Sequence, residues 1–439
     1  MRFLGIGECA DLADLYLRLG ADGHEVKVFI GYPLCKDTLA GLIERVTDWE
    51  AELDWIRAAG QDGCILFENI GLGHGEIQDR LRRDGLNVIG GGAYGARLEN
   101  DRTYAQRVLA ELGLDTASIF EFSDVDDAKQ FIDQHPARYV LKSNGPDAAS
   151  FVGRHKAGAD VRAALAAGEK NTASSFILMD FIEGVEMGVG AYFNGEDFLE
   201  PACLDWEHKR FFPGDLGELT GEMGTVVTYS RSKRFFDRTL AKVTPLLREN
   251  GYCGYINLNT IVNEDGIWPL EFTCRFGYPG YAILDPLQKT SWAALFSAML
   301  TRSTLRLDTE PGFAVGIVIT TPPFPYYRDT VPIPVGLQIM FEGDLSPAEL
   351  RHVHYGEIAL QNGMLVTSGA SGYTLVVTGT GQSIEGAREA ANALADKVVV
   401  ANARYRRDIG TRLIEGEFAK VEALELLDPY PSVLSSPSR

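Results

Sequence analysis

The chain has 439 residues, 45% hydrophobic and 10% aromatic, which is enough for roughly two to four domains with substantial cores. Its 61 acidic residues outweigh 41 basic ones, for a formal net charge of -20, so attraction to phosphate backbones is not favoured over the whole surface and nucleic acid is an unlikely partner, a local basic pocket aside. No apolar run reaches the length of a membrane span, and Asp11 and Asp14 interrupt the start where a secretory segment would have to stay apolar, so neither an anchor nor a leader is expected. The six cysteines, Cys9, Cys35, Cys64, Cys203, Cys253 and Cys274, form no CxxC pair and read as reduced packing residues of a cytoplasmic protein.

In chain order, an apolar run at 2–6 breaks at Gly5-Ile6-Gly7, a helical pattern passes through Leu12, Leu15, Leu17 and Leu19, and a strand follows at 25–30. That is a βαβ opening. Strands at 63–67 and 87–90, with a helix at 78–83 between them, make residues 1–115 a parallel-sheet α/β domain. The glycine pair lacks the third glycine of a dinucleotide fingerprint and reads as a tight turn. Strands at 118–122, 138–142, 175–181 and 186–193 and a helix at 126–134 define a small α+β unit over 116–195. A third unit, 196–321, carries a polar loop, a strand ending in LEFTCRFG and one helix over 233–250 closed by Gly251. Pro322, Pro323 and Pro325 mark a boundary, after which strands at 336–341, 352–361, 364–368 and 373–379 and a helix at 383–398 form an α+β domain over 322–425. Residues 426–439, rich in proline and serine, are expected to be a flexible tail.

A few residue groups point to chemistry. Lys142 ends an apolar strand and precedes the small-residue loop 143–150, whose N–H groups and ammonium suit phosphate; the alternative is a lysine reaching solvent beside a turn. The main chain at Asp180, Phe181 and Ile182 and the carboxylate of Glu186 suit an adenine edge and ribose hydroxyls, or else form a solvated hairpin. Glu271 shares a strand face with Thr273 and Arg275, and Asn257 and Asn259 share one on the preceding strand. Oxygen donors of that kind suit magnesium, although a plain cross-strand polar pair has the same pattern. His352 and His354 lack a third ligand and read as structural. The glycine-rich stretch 71–76, with His74, reads as a flexible loop that faces substrate.

Taken in order, ARLENDRTYAQ (96–106), VLKSNG (140–145), LMDFIEGVE (178–186), EHKRFFPGDLGELTGEMG (207–224), LEFTCRFG (270–277) and the segment 365–410 resemble the ATP-grasp superfamily, and within it the glycinamide ribonucleotide synthetases. The resemblance implies an α/β and α+β multidomain protein: an N-terminal parallel-sheet domain, an ATP lid, a central catalytic sheet domain and a C-terminal strand-rich domain. It implies a carboxylate–amine ligase that uses ATP and magnesium, or manganese, on an amino acid and a small amine, as monomer or homodimer. By position it makes Arg102, Lys142 and Glu186 nucleotide-binding, beside the adenine edge read at Asp180, Phe181 and Ile182, and makes Glu271 the metal-bridging glutamate, with the second metal contact left to the Thr273 hydroxyl, to Asn259 or to water. Arg275 becomes catalytic near the substrate carboxylate or acyl phosphate, with Lys209 and Arg210 on the mobile loop, and Gly7, His74, Glu222 and Arg275 are taken as substrate-facing. The sequence departs from the family pattern at Thr273, where asparagine is usual, at Leu219 and Glu222 in the loop, at Tyr278 and Gly280, and above all at GIGECADLAD, where a glycine-arginine-glutamate-histidine motif is expected. A paralogue acting on another amine, such as a modified nucleotide or a secondary-metabolite precursor, and a non-catalytic nucleotide-binding partner protein are therefore the alternatives.

Overall fold

The computed structural model describes residues 1–68, 73–143, 150–168, 175–328 and 335–430. The first sheet is parallel, in the order β3-β2-β1-β4-β5, from β1 (Arg2–Gly7), β2 (Glu25–Ile30), β3 (Glu44–Val46), β4 (Gly63–Phe67) and β5 (Val88–Ile89). Its central strands are buried along almost their whole length, as a parallel sheet covered on both faces requires. A four-stranded antiparallel sheet, in the order β6-β9-β7-β8, follows from β6 (Ile119–Phe122), β7 (Tyr139–Ser143), β8 (Ser150–Val152) and β9 (Phe176–Asp180). It packs on a core of its own that includes Val125, Ile132, Tyr139, Val161 and Leu178.

The largest sheet has eight strands in the order β16-β15-β10-β11-β14-β17-β22-β19. They are β10 (Val185–Asn194), β11 (Phe198–Glu207), β14 (Gly224–Thr228), β15 (Cys253–Asn263), β16 (Gly266–Thr273), β17 (Phe313–Thr320), β19 (Val353–Tyr355) and β22 (Tyr373–Gly381), with the ribbon β12 (Arg210–Phe212) and β13 (Leu216–Leu219) between β11 and β14. The pairs β18 (Met340–Phe341) with β23 (Val398–Val399), and β20 (Ile358–Gln361) with β21 (Met364–Thr367), complete the strands. No helix among the described residues is long and apolar enough to cross a membrane.

Four local expectations change. The helix expected over 233–250 is split into Lys233–Arg238, Leu240–Val243 and Thr244–Glu249. Thr239 leaves the helical region at φ -128° and ψ -98°, and Pro245 stands at the start of the last piece, where its missing N–H and fixed φ are tolerated. The polar loop 207–224 contains the two-stranded ribbon, because Gly214 and Asp215 adopt positive φ and reverse the chain. Within 71–76, Gly73 (φ 80°) precedes a helix that begins at His74, so a loop gives way to a helix start. The strand expected over 352–361 breaks at Gly356 and Glu357, where Glu357 turns to accept main-chain N–H groups from Ala370, Ser371 and Gly372. Residues 71, 72, 144–149 and 431–439, parts of the loops and tail read from the sequence, lie outside the described residues.

Candidate active site

The four-stranded and eight-stranded sheets face each other across a cleft of about 1180 Å³. Its floor is the face of β10, β15 and β16. Antiparallel register sets Gly188 beside Asn259 and Asn259 beside Glu271, and Asn257 beside Thr273. Gly188 keeps this floor open for its neighbour on β11: a Cβ there would come within 2.3 Å of Asp205 Oδ1. Alternation along LDWEHK places Asp205, Glu207 and Lys209 toward the cleft, while Leu204, Trp206 and His208 are fully buried.

Charge is concentrated at one point of this floor. Lys209 Nζ lies 2.8 Å from Glu207, 3.4 Å from Glu271 and 3.6 Å from Glu186. Arg102, at the first turn of the helix Arg102–Glu111, reaches Glu271 at 3.5 Å. That helix is tied to β16 by Gln106, whose amide donates to the carbonyls of Pro269 and Leu270. Asn259 donates to Glu186 at 2.7 Å. Lys142 comes from the opposite sheet; it is 7% exposed, which rules out the solvent-reaching alternative.

The protonation states follow from these neighbours. Burial pushes the Glu271 carboxyl up, but Lys209, Lys142 and Arg102 outweigh it and hold it at about 2. Burial lowers Lys142, with Arg102 and Lys209 adding to the effect against Glu271 and Glu186. Burial also lowers Lys209, but Glu207, Glu271 and Glu186 more than reverse this and raise it well above the ordinary lysine value. Asp205 is pushed up to about 8 by burial and by Glu207, against a hydrogen bond from Asn257 at 2.6 Å.

The remaining candidates fall into two groups. Asn259, Thr273, Arg275, Asp180, Phe181, Ile182, Glu186, Arg210 and Glu222 all line the cleft. Arg275 is oriented by Glu99, which accepts from its Nε at 3.0 Å and from the Cys274 N–H at 2.6 Å. Arg210, however, donates to the Gly217 carbonyl across the ribbon. Glu222 is 2% exposed and accepts from the N–H groups of His208 and Gly224, so it braces the ribbon's base. The N–H groups of Asp180 and Phe181 are committed to the carbonyls of Ser118 and Arg138. Gly7 and His74 are not part of the cleft wall: Gly7 packs over Glu68, where a Cβ would lie 1.8 Å from Oε2, and His74 stands 3.6 Å behind Glu8. His352 and His354 meet the Thr378 hydroxyl, and His354 also meets Asp14 at 2.9 Å.

Glu99, Asp205 and Glu207 were not singled out from the sequence. The period-two pattern through Asp205, Glu207 and Lys209 was a signal that could have found two of them. Nothing in ARLENDR marks Glu99 as the partner of Arg275.

Residues 100–281 match the family described as phosphoribosylglycinamide synthetase, ATP-grasp (A) domain. Over nearly the whole chain the structure superimposes on phosphoribosylamine–glycine ligase from Thermotoga maritima, with a TM-score of 0.72 at 21% identity, covering 93% of this chain and 100% of that one. The chain has the ATP-grasp fold. The biotin carboxylase domain of 2-oxoglutarate carboxylase from Hydrogenobacter thermophilus, solved with MgADP and bicarbonate, gives a TM-score of 0.65 at 11% identity over 98% of this chain and 99% of that one. In sequence, phosphoribosylamine–glycine ligase of Pseudomonas aeruginosa is 29% identical over 359 residues, 78% of this chain and 81% of the relative. The ATP-grasp match thus spans Arg102, Lys142, Lys209 and Glu271, the residues that meet in the cleft.

Proposed function

We propose that this chain is an ATP-dependent, ADP-forming carboxylate–amine ligase acting through an acyl phosphate. It joins glycine or another amino acid to a small amine, with 5-phosphoribosylamine the acceptor indicated by the name of its relatives. The observation that carries this reading is the meeting of Lys142, Lys209 and Arg102 with Glu271, Glu186 and Asn259 between two sheets of an ATP-grasp fold. Phosphoryl transfer to a carboxylate asks the protein to hold charge and position reactants, and no side-chain nucleophile is required.

Lys142 and Arg102 hold phosphate oxygens by charge-assisted hydrogen bonds, and Glu186 accepts from ribose hydroxyls. With the Asp180 and Phe181 N–H groups already committed, adenine is read at Ile182 and the nearby carbonyls. The donor set at Glu271, Asn259 and Thr273 is all oxygen, on adjacent strands held in register, and fits a hard divalent cation, magnesium or manganese. Such an ion, when bound, neutralises charge on the transferring phosphoryl group. Lys209 contributes a cation at the reacting end, and Arg275, held in place by Glu99, engages the substrate carboxylate. The ribbon β12–β13 beside the cleft limits entry of water, which would hydrolyse the acyl phosphate. Arg210, on that ribbon, lines the cleft with its Nη1 held by the Gly217 carbonyl.

A different amine is the second reading, because Glu8, Asp11 and Glu357 place carboxyl groups on the cavity wall, where a phosphorylated acceptor calls for cations. ADP release with magnesium and a panel of amino acids and amines tests both. ADP that appears with glycine only when phosphoribosylamine is generated in situ supports the first; ADP with another amine supports the second. ATP binding without ADP release for any pair overturns the ligase reading.

A further inference from the structure

Away from the Glu271 cluster, a second group of ligating side chains meets at the cavity wall: Cys9, Cys35 and Glu357, whose donor atoms all lie within 4.8 Å of one another. Cys9 and Glu357 line the cavity, and Cys35 lies fully buried beside them. The three come from separate segments that main-chain hydrogen bonds pin together. The Tyr32 N–H donates to the Glu8 carbonyl at 3.0 Å and the Cys35 N–H to the Tyr32 carbonyl at 2.9 Å. The Leu39 N–H donates to the Ile358 carbonyl at 2.7 Å, and the Leu360 N–H to the Ala40 carbonyl at 2.8 Å. The Glu357 carboxylate is itself oriented by the N–H groups of Ala370, Ser371 and Gly372 at 2.7 to 3.1 Å.

We infer that Cys9, Cys35 and Glu357 bind a thiophilic divalent cation, with zinc the best match, and leave its fourth coordination position open to the cavity. Tetrahedral zinc, with bonds of about 2.3 Å to sulfur and about 2.0–2.2 Å to carboxylate oxygen, sets those two donors about 3.5 Å apart. Cys35 Sγ and Glu357 Oε1 are 3.7 Å apart. Two thiolates and a carboxylate leave surplus negative charge around a divalent ion, and the guanidinium of Arg328 is electrostatically coupled to both Glu357 and Cys35. Sulfur donors separate this site from the all-oxygen set at Glu271, so the two select different ions. Three protein ligands with an open position are the pattern of a zinc ion that takes water or a substrate atom, and this position adjoins the cavity that the acceptor amine must enter. Loading exchanges the thiol protons for the metal and releases them to solvent.

The site is read by metal binding alone, so its test does not depend on the ligase reaction. The full chain, reduced with a phosphine and stripped with a chelator, is titrated with cobalt(II) and then zinc(II). The expected result is a thiolate-to-cobalt charge-transfer band that saturates at one thiolate-bound cobalt per chain and that zinc abolishes. Cys9→Ser should lose the band and at least about 100-fold in zinc affinity, since even outer partners of a metal ligand cost about 10–100-fold when lost. Cys253→Ser should keep both. Absence of the band in the reduced wild-type chain, or an unchanged band in Cys9→Ser, overturns the site.

Discussion

Glu271→Gln preserves side-chain shape and removes a negative charge that Lys209 and Arg102 approach to 3.4 and 3.5 Å and that also acts on Lys142. Each close pair represents about 5 kcal/mol of Coulomb attraction at an effective dielectric of 20, before desolvation is subtracted. The net effect shows in the carboxyl itself, held at about 2 instead of 4.5, which corresponds to about 3 kcal/mol. The Glu271 side chain is 34% exposed, so solvent screening reduces the contribution to stability to about 1–2 kcal/mol. The variant should therefore fold, with a modest fall in its denaturation midpoint. Turnover should fall by about 100- to 1000-fold or more, the range for losing one preorganised electrostatic group at a reacting centre. Steady-state ADP release at saturating ATP and substrates measures this, with a magnesium titration alongside. Turnover of wild-type size at ordinary magnesium would refute the assignment, and rescue only at raised magnesium would locate the defect in metal binding.

Lys142→Ala should weaken ATP binding by roughly 10- to 150-fold, the equivalent of about 1.5–3 kcal/mol for a charge-assisted hydrogen bond, and calorimetric titration showing unchanged affinity would contradict the phosphate role. Glu99→Gln loosens Arg275; kcat/KM for the carboxylate substrate should fall about tenfold or more while nucleotide affinity stays the same, and an equal loss of both would argue against a positioning role. His208 donates from Nδ1 to the Trp206 carbonyl and accepts the Gly410 N–H at Nε2, so the fold holds it neutral, and burial with Arg412 and Arg406 lowers it from 6.5 to about 3. Below pH 6.5 the unfolded chain binds the extra proton, so stability should fall between pH 6.5 and 3, by up to about 1.4 kcal/mol per unit. Urea midpoints across that range should slope less in His208→Asn than in the wild type, and parallel profiles would refute the tautomer argument.

Local pattern was enough for much of this architecture. Alternation in YINLNTIV and LEFTCRFG marked β15 and β16 and the face that Asn257, Asn259, Glu271 and Thr273 share, and the ordered motifs pointed to the ATP-grasp fold before any coordinates. The break at Thr239 was missed although Pro245 was visible, because the apolar periodicity of 233–250 continues through it. The ribbon in 207–224 was also missed, since its glycines signal reversal and loop equally well.

What the chain determined by itself was residue type, period and face, all properties of neighbours in sequence. The tertiary structure alone decided which charges meet. Lys142 faces Glu271 only because two sheets close on each other, and Arg275 is held by a glutamate from a distant helix. Arg210 and Glu222, equally promising on paper, line the cleft but have polar atoms tied to main-chain groups in and beside the ribbon. Cys9, Cys35 and Glu357 come from three segments joined by main-chain hydrogen bonds. Coulomb and coordination energies depend on distances of a few ångströms, and side chains this far apart in sequence acquire such distances only when the backbone has packed.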